Sequence, residues 1–398
     1  MTGRRVAAPA FLLAAALFVP AAAPVAARQT ADRAEIQESF LEEVVPALEI
    51  PIGWTGDVAT CDAGAPSPAA QSATLTAINF VRGLAGLDPV SFDPALSAKA
   101  QQAALIMHAN DDLDHDPPAS WRCWTQAGDE AAGSSNLALG IAGADAILGY
   151  MDDDGRFNTA VGHRRWIMRP ETATMGSGST SGANALWIFG ADAEGAAVPE
   201  WVPWPTAGYF PSPLEPEGRW SLSASSEAVT FPNATVTVTG PGGTSLPVQT
   251  YPEEQGFAKN TLVWEVSGVT IPRGDDALTY TVTVSGITRS DSGPAVHSYD
   301  VHLFSPPLTV LTPPHLGGRP RVGATLRVDE GDWRPDPESY SYGWLRDGVE
   351  IAGASNDSYR LTRADRGKTI SVRVTAARLG YADGAATTNP TRRILRRR

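Results

Sequence analysis

The sequence predicts a multidomain α+β protein, with one domain of mixed helix and strand followed by two all-β sandwich modules. Three observations predict it. The chain has 398 residues, more than one hydrophobic core usually holds, so two or three domains are expected. Helical periodicity is confined to the part before about residue 190, and after Pro199 short alternating strands take over. The proline pairs Pro306-Pro307 and Pro313-Pro314 then divide the strand-rich part in two.

Taken in order, residues 1–27 read as a secretory signal peptide. Arg4 and Arg5 give a positive start, Phe11 to Val19 an apolar run, and Val25-Ala26-Ala27 a small-residue cleavage site. The run is short of the roughly 20 residues that a bilayer span needs, and Pro20 and Pro24 interrupt it. No later stretch is apolar enough to be a transmembrane segment, so the expectation is an extracellular, secreted protein, free or cell-wall associated. Residues 28–69 form an N-terminal segment with an acidic helix (Ala34 to Ala47) and a Pro, Gly and Ala-rich linker that reads as a tether.

The first domain spans 70–192. Leu75, Ile78, Asn79 and Val81 repeat at helical spacing up to Gly83 and Gly86. Asp93-Pro94 starts a second helix, a capping side chain before a first-turn proline, and Leu96, Ala100, Ala103 and Met107 mark its buried face. A third helix runs from Ala144 to about Met151, and Ala185 to Phe189 reads as a core strand. A β-sandwich module occupies 196–306, with strands at Ala234 to Thr239, Leu262 to Val266, Leu278 to Val284 and Tyr299 to Phe304. Trp201, Trp204, Tyr209, Phe210 and Trp220 crowd its start, where packing between domains is the expected use. A second strand array fills 307–392, and 393–398 is a basic tail, expected to be solvated unless it touches anionic wall polymer or lipid.

Charge and cysteines narrow the function. The net charge is −13, and −15 without Arg4 and Arg5, which argues against nucleic acid as a partner. Cys61 and Cys123 are the two cysteines, and export puts them where disulfides persist, so one bond between them is expected. In the chain-entropy picture it is worth on the order of 4 kcal/mol. The sequence has no Gly-x-Ser-x-Gly elbow, no phosphate loop and no His-Glu-x-x-His zinc motif.

Concentrated chemistry occurs only in the first domain: His115, the stretch Gly133-Ser134-Ser135-Asn136-Leu137-Ala138, and Gly162-His163-Arg164-Arg165-Trp166-Ile167. Two imidazoles brought together by a fold can bind a divalent metal or move protons near neutral pH. His108 reads as a partly buried helix residue. Arg164 and Arg165 read as salt-bridge partners of the Asp152-Asp153-Asp154 loop, and Trp166 as core.

The ordered set Asn79-x-x-Arg82, Asp93-Pro94-x-Leu96, Leu113-x-His115-x-Pro117, Ser135-Asn136-Leu137-Ala138 and Gly162-His163-Arg164-x-x-Ile167 resembles the CAP superfamily of secreted proteins, over about residues 70–190. That family includes cysteine-rich secretory, antigen and pathogenesis-related (SCP-like) proteins. The resemblance implies an α-β-α sandwich with an open cleft lined here by His115, Ser135, Asn136 and His163. In many members the two histidines hold a divalent ion with two glutamates. Here Ser135 stands in the first carboxylate's place, and Glu130 or Asp145 are the possible substitutes. Two imidazoles are half of a zinc shell, so cofactor-free operation is expected, with zinc or magnesium on His115 and His163 as the alternative.

The last module resembles the immunoglobulin-like repeats of bacterial surface proteins through Val322-Gly323-Ala324-Thr325-Leu326, Gly331-Asp332-Trp333, Trp344-Leu345-Arg346-Asp347-Gly348 and Asp365-Arg366-Gly367. The resemblance implies that Trp344 is the buried inter-sheet tryptophan. The function expected is non-enzymatic binding of a small apolar, glycan or protein ligand in the cleft, with the β modules as spacer or adhesive units. A metal-dependent hydrolase and a structural wall-associated adhesin are the alternatives.

Overall fold

The computed structural model describes residues 32–396 apart from 157, 197, 291, 292 and 294. The expected signal peptide, and Arg397 and Arg398 of the basic tail, lie outside the described residues. Among these, no helix is long and apolar enough to cross a membrane.

The first domain is an α-β-α sandwich. Its elements are α3 (Pro68–Leu84), β1 (Ser91–Phe92), α4 (Pro94–Asn110), α5 (Gln126–Ala132), β2 (Ser135–Leu139), α6 (Gly143–Asp152), α7 (Gly162–Ile167), β3 (Thr174–Ser179) and β4 (Ala183–Trp187); α1 and α2 precede it and are described below. Both long helices start where side chains stop the backbone. Ser67 accepts from the Ala70 N–H, Asp93 accepts from Ala95 and Leu96, and each cap precedes a proline that needs no partner. The strands order β1-β3-β4-β2, which leaves β2 at an edge.

Alternation along the strands divides the core. Leu137, Ala185 and Trp187 pack with α4 and α5, whereas Ala138, Leu186 and Ile188 join α3 and α6 on the opposite face. Helix α4 lies so close to β3 that a Cβ at Gly178 would meet the Gln101 backbone at 2.2 Å, and one at Gly176 the Leu96 backbone at 2.5 Å. Glycines are needed there for close approach, at the expense of the β-branched residues that would mark a strand.

The stretch expected to be a linker is instead folded against the rest. Helix α1 (Arg33–Ser39), a π-helical turn (Phe40–Val44) and α2 (Val45–Leu48) follow one another, burying Ile36, Phe40, Val44 and Val45. Phe40 meets Phe80 of α3 at 5.8 Å between ring centroids and Tyr381 of the last module at 6.3 Å. Beyond α2, Glu49 pairs with Arg334 at 2.9 Å. The Gly and Ala-rich run that follows is held by the Trp54 indole donating to Ala63 O, the Gln101 amide donating to the same carbonyl, and the Cys61–Cys123 disulfide, with Cα atoms 5.1 Å apart. Composition suggested a tether, and cross-links made by side chains far along the sequence override it.

The middle module is a two-sheet sandwich. One sheet orders Thr244–Leu246, Thr235–Gly240, Leu278–Arg289, Ala295–Phe304 and Gly208–Pro211; the other orders Val248–Thr250, Thr261–Val266, Arg219–Ala224 and Trp201–Trp204. Trp204 and Trp220, expected to pack between domains, are buried with Phe210 and Tyr280 inside this sandwich, Trp220 edge-on to Tyr280 and Trp204 edge-on to Phe210. The correction has a simple reason: both are strand residues of this module, Trp220 paired across strands with Trp264 and Trp204 packed on Phe210.

In the last module Ser339–Arg346 pairs with Ile370–Ala377 in a four-stranded sheet, and His315–Gly317, Thr325–Asp329 and Ser358–Arg360 form a three-stranded one. Trp344 is fully buried and donates to Asn356 O at 2.8 Å. Asp365, also buried, accepts from Arg346 Nε at 2.7 Å and from the Thr362 N–H and hydroxyl. These bonds lock the module without a disulfide.

Candidate functional site

The site is built around α7 and β2, the outermost strand of the sheet. Burial along α7 alternates with the helical repeat: Arg164, Arg165 and Ile167 are buried, whereas His163 and Trp166 are half-buried on the outer side. His163 Nδ1 sits 2.8 Å from Asp153 Oδ1. Asp153 closes α6 in the left-handed region (φ 50°), and its buried carboxylate also accepts the Arg164 N–H at 3.3 Å. The Tyr150 ring lies 5.3 Å from that of His163, its hydroxyl donating to Asn136 O. Asn136 Nδ2 in turn donates to His163 O at 3.0 Å. Asn136 and His163 are therefore directly bonded.

His115 is exposed, and its Nδ1 lies 2.8 Å from Ala132 O at the end of α5, just before β2. A carbonyl only accepts, so Nδ1 carries a proton, and in the neutral ring Nε2 is the acceptor. The carboxylate of Asp153 imposes the same arrangement on His163. Strand alternation turns Ser135 towards α4 and α5, the side of His115, and Asn136 towards α6 and α7, the side of His163. His163 is thus joined to Asn136 on one face of β2, while His115 stands at the end of α5 on the side of the other face. Ser135 is buried, and its hydroxyl has no hydrogen-bond partner among the described residues.

The carboxylates that could replace a lost glutamate are elsewhere. Glu130 is paired with Lys99 at 2.7 Å. Asp145 lines a cavity of about 790 Å³ where the three domains meet, facing Arg378; burial raises its carboxyl and Arg378 opposes the shift. Among the described residues no group of three or more His, Cys, Asp or Glu is placed to hold a metal ion. The donor set at His115 and His163, with a serine where a carboxylate would be needed, does not fit zinc or magnesium.

Arg164 lies within the field of Asp152 and Asp153, as expected of the loop, but the side-chain hydrogen bonds of Arg164 and Arg165 go mainly to backbone carbonyls and not to its carboxylates. Arg164 donates to Met151 O, Asp152 O and, across the domain boundary, to Arg219 O and Ser221 Oγ at 2.7 to 3.2 Å. Arg165 donates to Glu254 O at 3.0 Å and Lys259 O at 2.5 Å. A guanidinium offers five donors, enough to satisfy several buried carbonyls at once. Burial pulls both arginines down to about 10, so they remain charged at neutral pH. From the middle module Arg219 also reaches Gly155 O at 2.6 Å, and the Phe257 ring lies so close that a Cβ on Gly162 would meet it at 2.5 Å.

Arg82 is fully buried and donates to Asp88 O, Ile167 O, Arg169 O and Thr172 O, which fixes the turn leaving α7. Asn79 pins Val90 through both its amide atoms. Trp166, expected in the core, is instead half-buried and edge-on to Phe189 at 4.7 Å. His108 is half-buried against Trp54, away from this edge. Sequence reasoning missed Asp153, Tyr150 and Phe189. Asp153 is one of three consecutive aspartates with no mark of its own, and Phe189 closes a run read as buried strand.

Residues 75–189 match the model of the CAP family, described as the cysteine-rich secretory protein family. The first domain of this chain is thus a CAP domain. The fibronectin(III)-like modules of Clostridium thermocellum CbhA are 13% identical, with a TM-score of 0.16, over 45% of this chain and 87% of that one. The tandem Ig repeats of Dlar are 14% identical, with a TM-score of 0.14, over 43% and 86%. No protein of curated description matches the chain.

Proposed function

We propose that the protein is exported and that its CAP domain is a non-enzymatic binding module, engaging a small apolar, glycan or protein ligand at the edge of β2. One observation carries this reading. The Nδ1 atoms of both imidazoles face fixed acceptors, Ala132 O and Asp153 Oδ1, which orients each ring, and among the described residues no group of three or more His, Cys, Asp or Glu gathers with them. The Cys61–Cys123 bond supports an oxidising destination. The β modules would then display the CAP domain or dock it on a surface such as a cell wall. Because Arg164 and Arg165 tie the CAP domain to the middle module, these two would act as one unit.

A metal-dependent hydrolase is the second reading, favoured by the buried Asp153 behind His163, since carboxylates commonly orient the histidines of metal sites. Calorimetric titration of zinc and of magnesium into the protein and into the His115→Ala/His163→Ala double variant separates the two. We expect no micromolar binding in either protein. Micromolar binding that disappears in the double variant would overturn the non-enzymatic reading.

A further inference from the structure

We infer that the outward stripe formed by His163, Trp166 and Phe189 is a subsite for one neutral pyranose ring. The inference rests on the binding reading above and names the ligand class. His163 and Trp166 are three residues apart on α7 and so share a face, and Phe189 continues it by edge contact with the indole. Phe189 is 51% exposed, although no fold requirement puts an aromatic ring in water at the end of β4.

The chemistry of the stripe selects the ligand. A pyranose has an apolar C–H face that stacks on aromatic rings and a rim of hydroxyls that need partners. In its neutral form the His163 ring, oriented by the Asp153 bond behind Nδ1, offers Nε2 as an acceptor on the same helix face as Trp166. Nearby charges are already committed. Arg169 is held by Asp192 at 2.5 Å, and Lys259 by Glu171 at 2.6 Å. The net charge of −13 repels a sulfated or uronic glycan at longer range. Three rings are also too small a patch for a stable protein interface, which takes roughly 800 Å² from each partner.

Titration of the full-length protein with chitotriose and with cellotriose, followed by calorimetry, tests the subsite, with the neutral apolar dye 1-N-phenylnaphthylamine as a third probe. We expect saturable binding of at least one trisaccharide, weakened tenfold or more by Phe189→Ala and retained in Phe189→Tyr, with an unchanged thermal midpoint in both variants. Equal sugar affinity in Phe189→Ala overturns the subsite. Dye binding that is lost in His115→Ala/His163→Ala, with no response to either sugar, overturns the subsite and leaves the binding reading standing. No response to any of the three probes overturns both.

Discussion

The two faces of α7 are made from consecutive residues and do opposite things. On the inner face Arg164 and Arg165 are buried and spend their donors on carbonyls of two domains. On the outer face His163 and Trp166 stay accessible, and the imidazole is oriented from behind by Asp153. A six-residue helix could not hold such a geometry by its own hydrogen bonds, because so short a helix is marginal in isolation. The inner face supplies the rigidity that the outer face needs, and the middle module supplies most of the acceptors, Arg219 O, Ser221 Oγ, Glu254 O and Lys259 O. Motif residues in Gly162 to Ile167 therefore divide into those that build and those that meet ligand.

The largest expected effect breaks the inner face. Arg164→Met leaves Met151 O, Asp152 O and Arg219 O without their donor in a buried place, and should cost about 3–5 kcal/mol. Differential scanning calorimetry should show a midpoint roughly 10 °C lower. A change under about 2 °C would mean that the arginine clamp does not hold the two domains together.

A smaller effect sharpens the same boundary. Burial raises the Asp152 carboxyl to about 6, with Asp154, Glu217 and Glu215 adding to the rise and Arg164 opposing it. A carboxyl raised above its unfolded value is more protonated in the folded chain between about pH 4 and 6, so its charge opposes folding above that window and not below it. Asp152→Asn should therefore stabilise the protein at pH 7, by about 1 kcal/mol because the group is partly open to solvent, and the gain should vanish by pH 4. Urea unfolding at both pH values measures it. An equal effect at the two would show that the charge at Asp152 is not what opposes folding.

Much of this architecture was legible because it is local. The caps Ser67 and Asp93, each before a proline, announce α3 and α4, and the position of Trp344 announces the last sandwich. What stayed hidden depends on contacts between distant segments. Strand β3 reads Thr-Met-Gly-Ser-Gly-Ser and looks like a loop, because the approach of α4 demands glycine where a strand would carry branched side chains. Helices α5 and α7 are too short to show a period. The expected Cys61–Cys123 bond does tie down the Gly and Ala-rich run, but it still looked like a tether because nothing in its composition reveals that Gln101 also holds it. At the site, His115, Asn136 and His163 stood out by type and order, whereas Asp153 and Phe189 acquire meaning only from what they touch.

The most direct test is the protonation pattern of the two imidazoles. Long-range proton–nitrogen correlation spectra of the protein, recorded above the titration range of histidine, distinguish the ring nitrogens of His115 and His163. We expect both neutral rings to carry hydrogen on Nδ1 and a bare Nε2, the minority form of free histidine, since Ala132 O and Asp153 Oδ1 accept from Nδ1. Hydrogen on Nε2 of His163, with Nδ1 bare, would contradict the ring orientation by Asp153 on which the proposed binding depends.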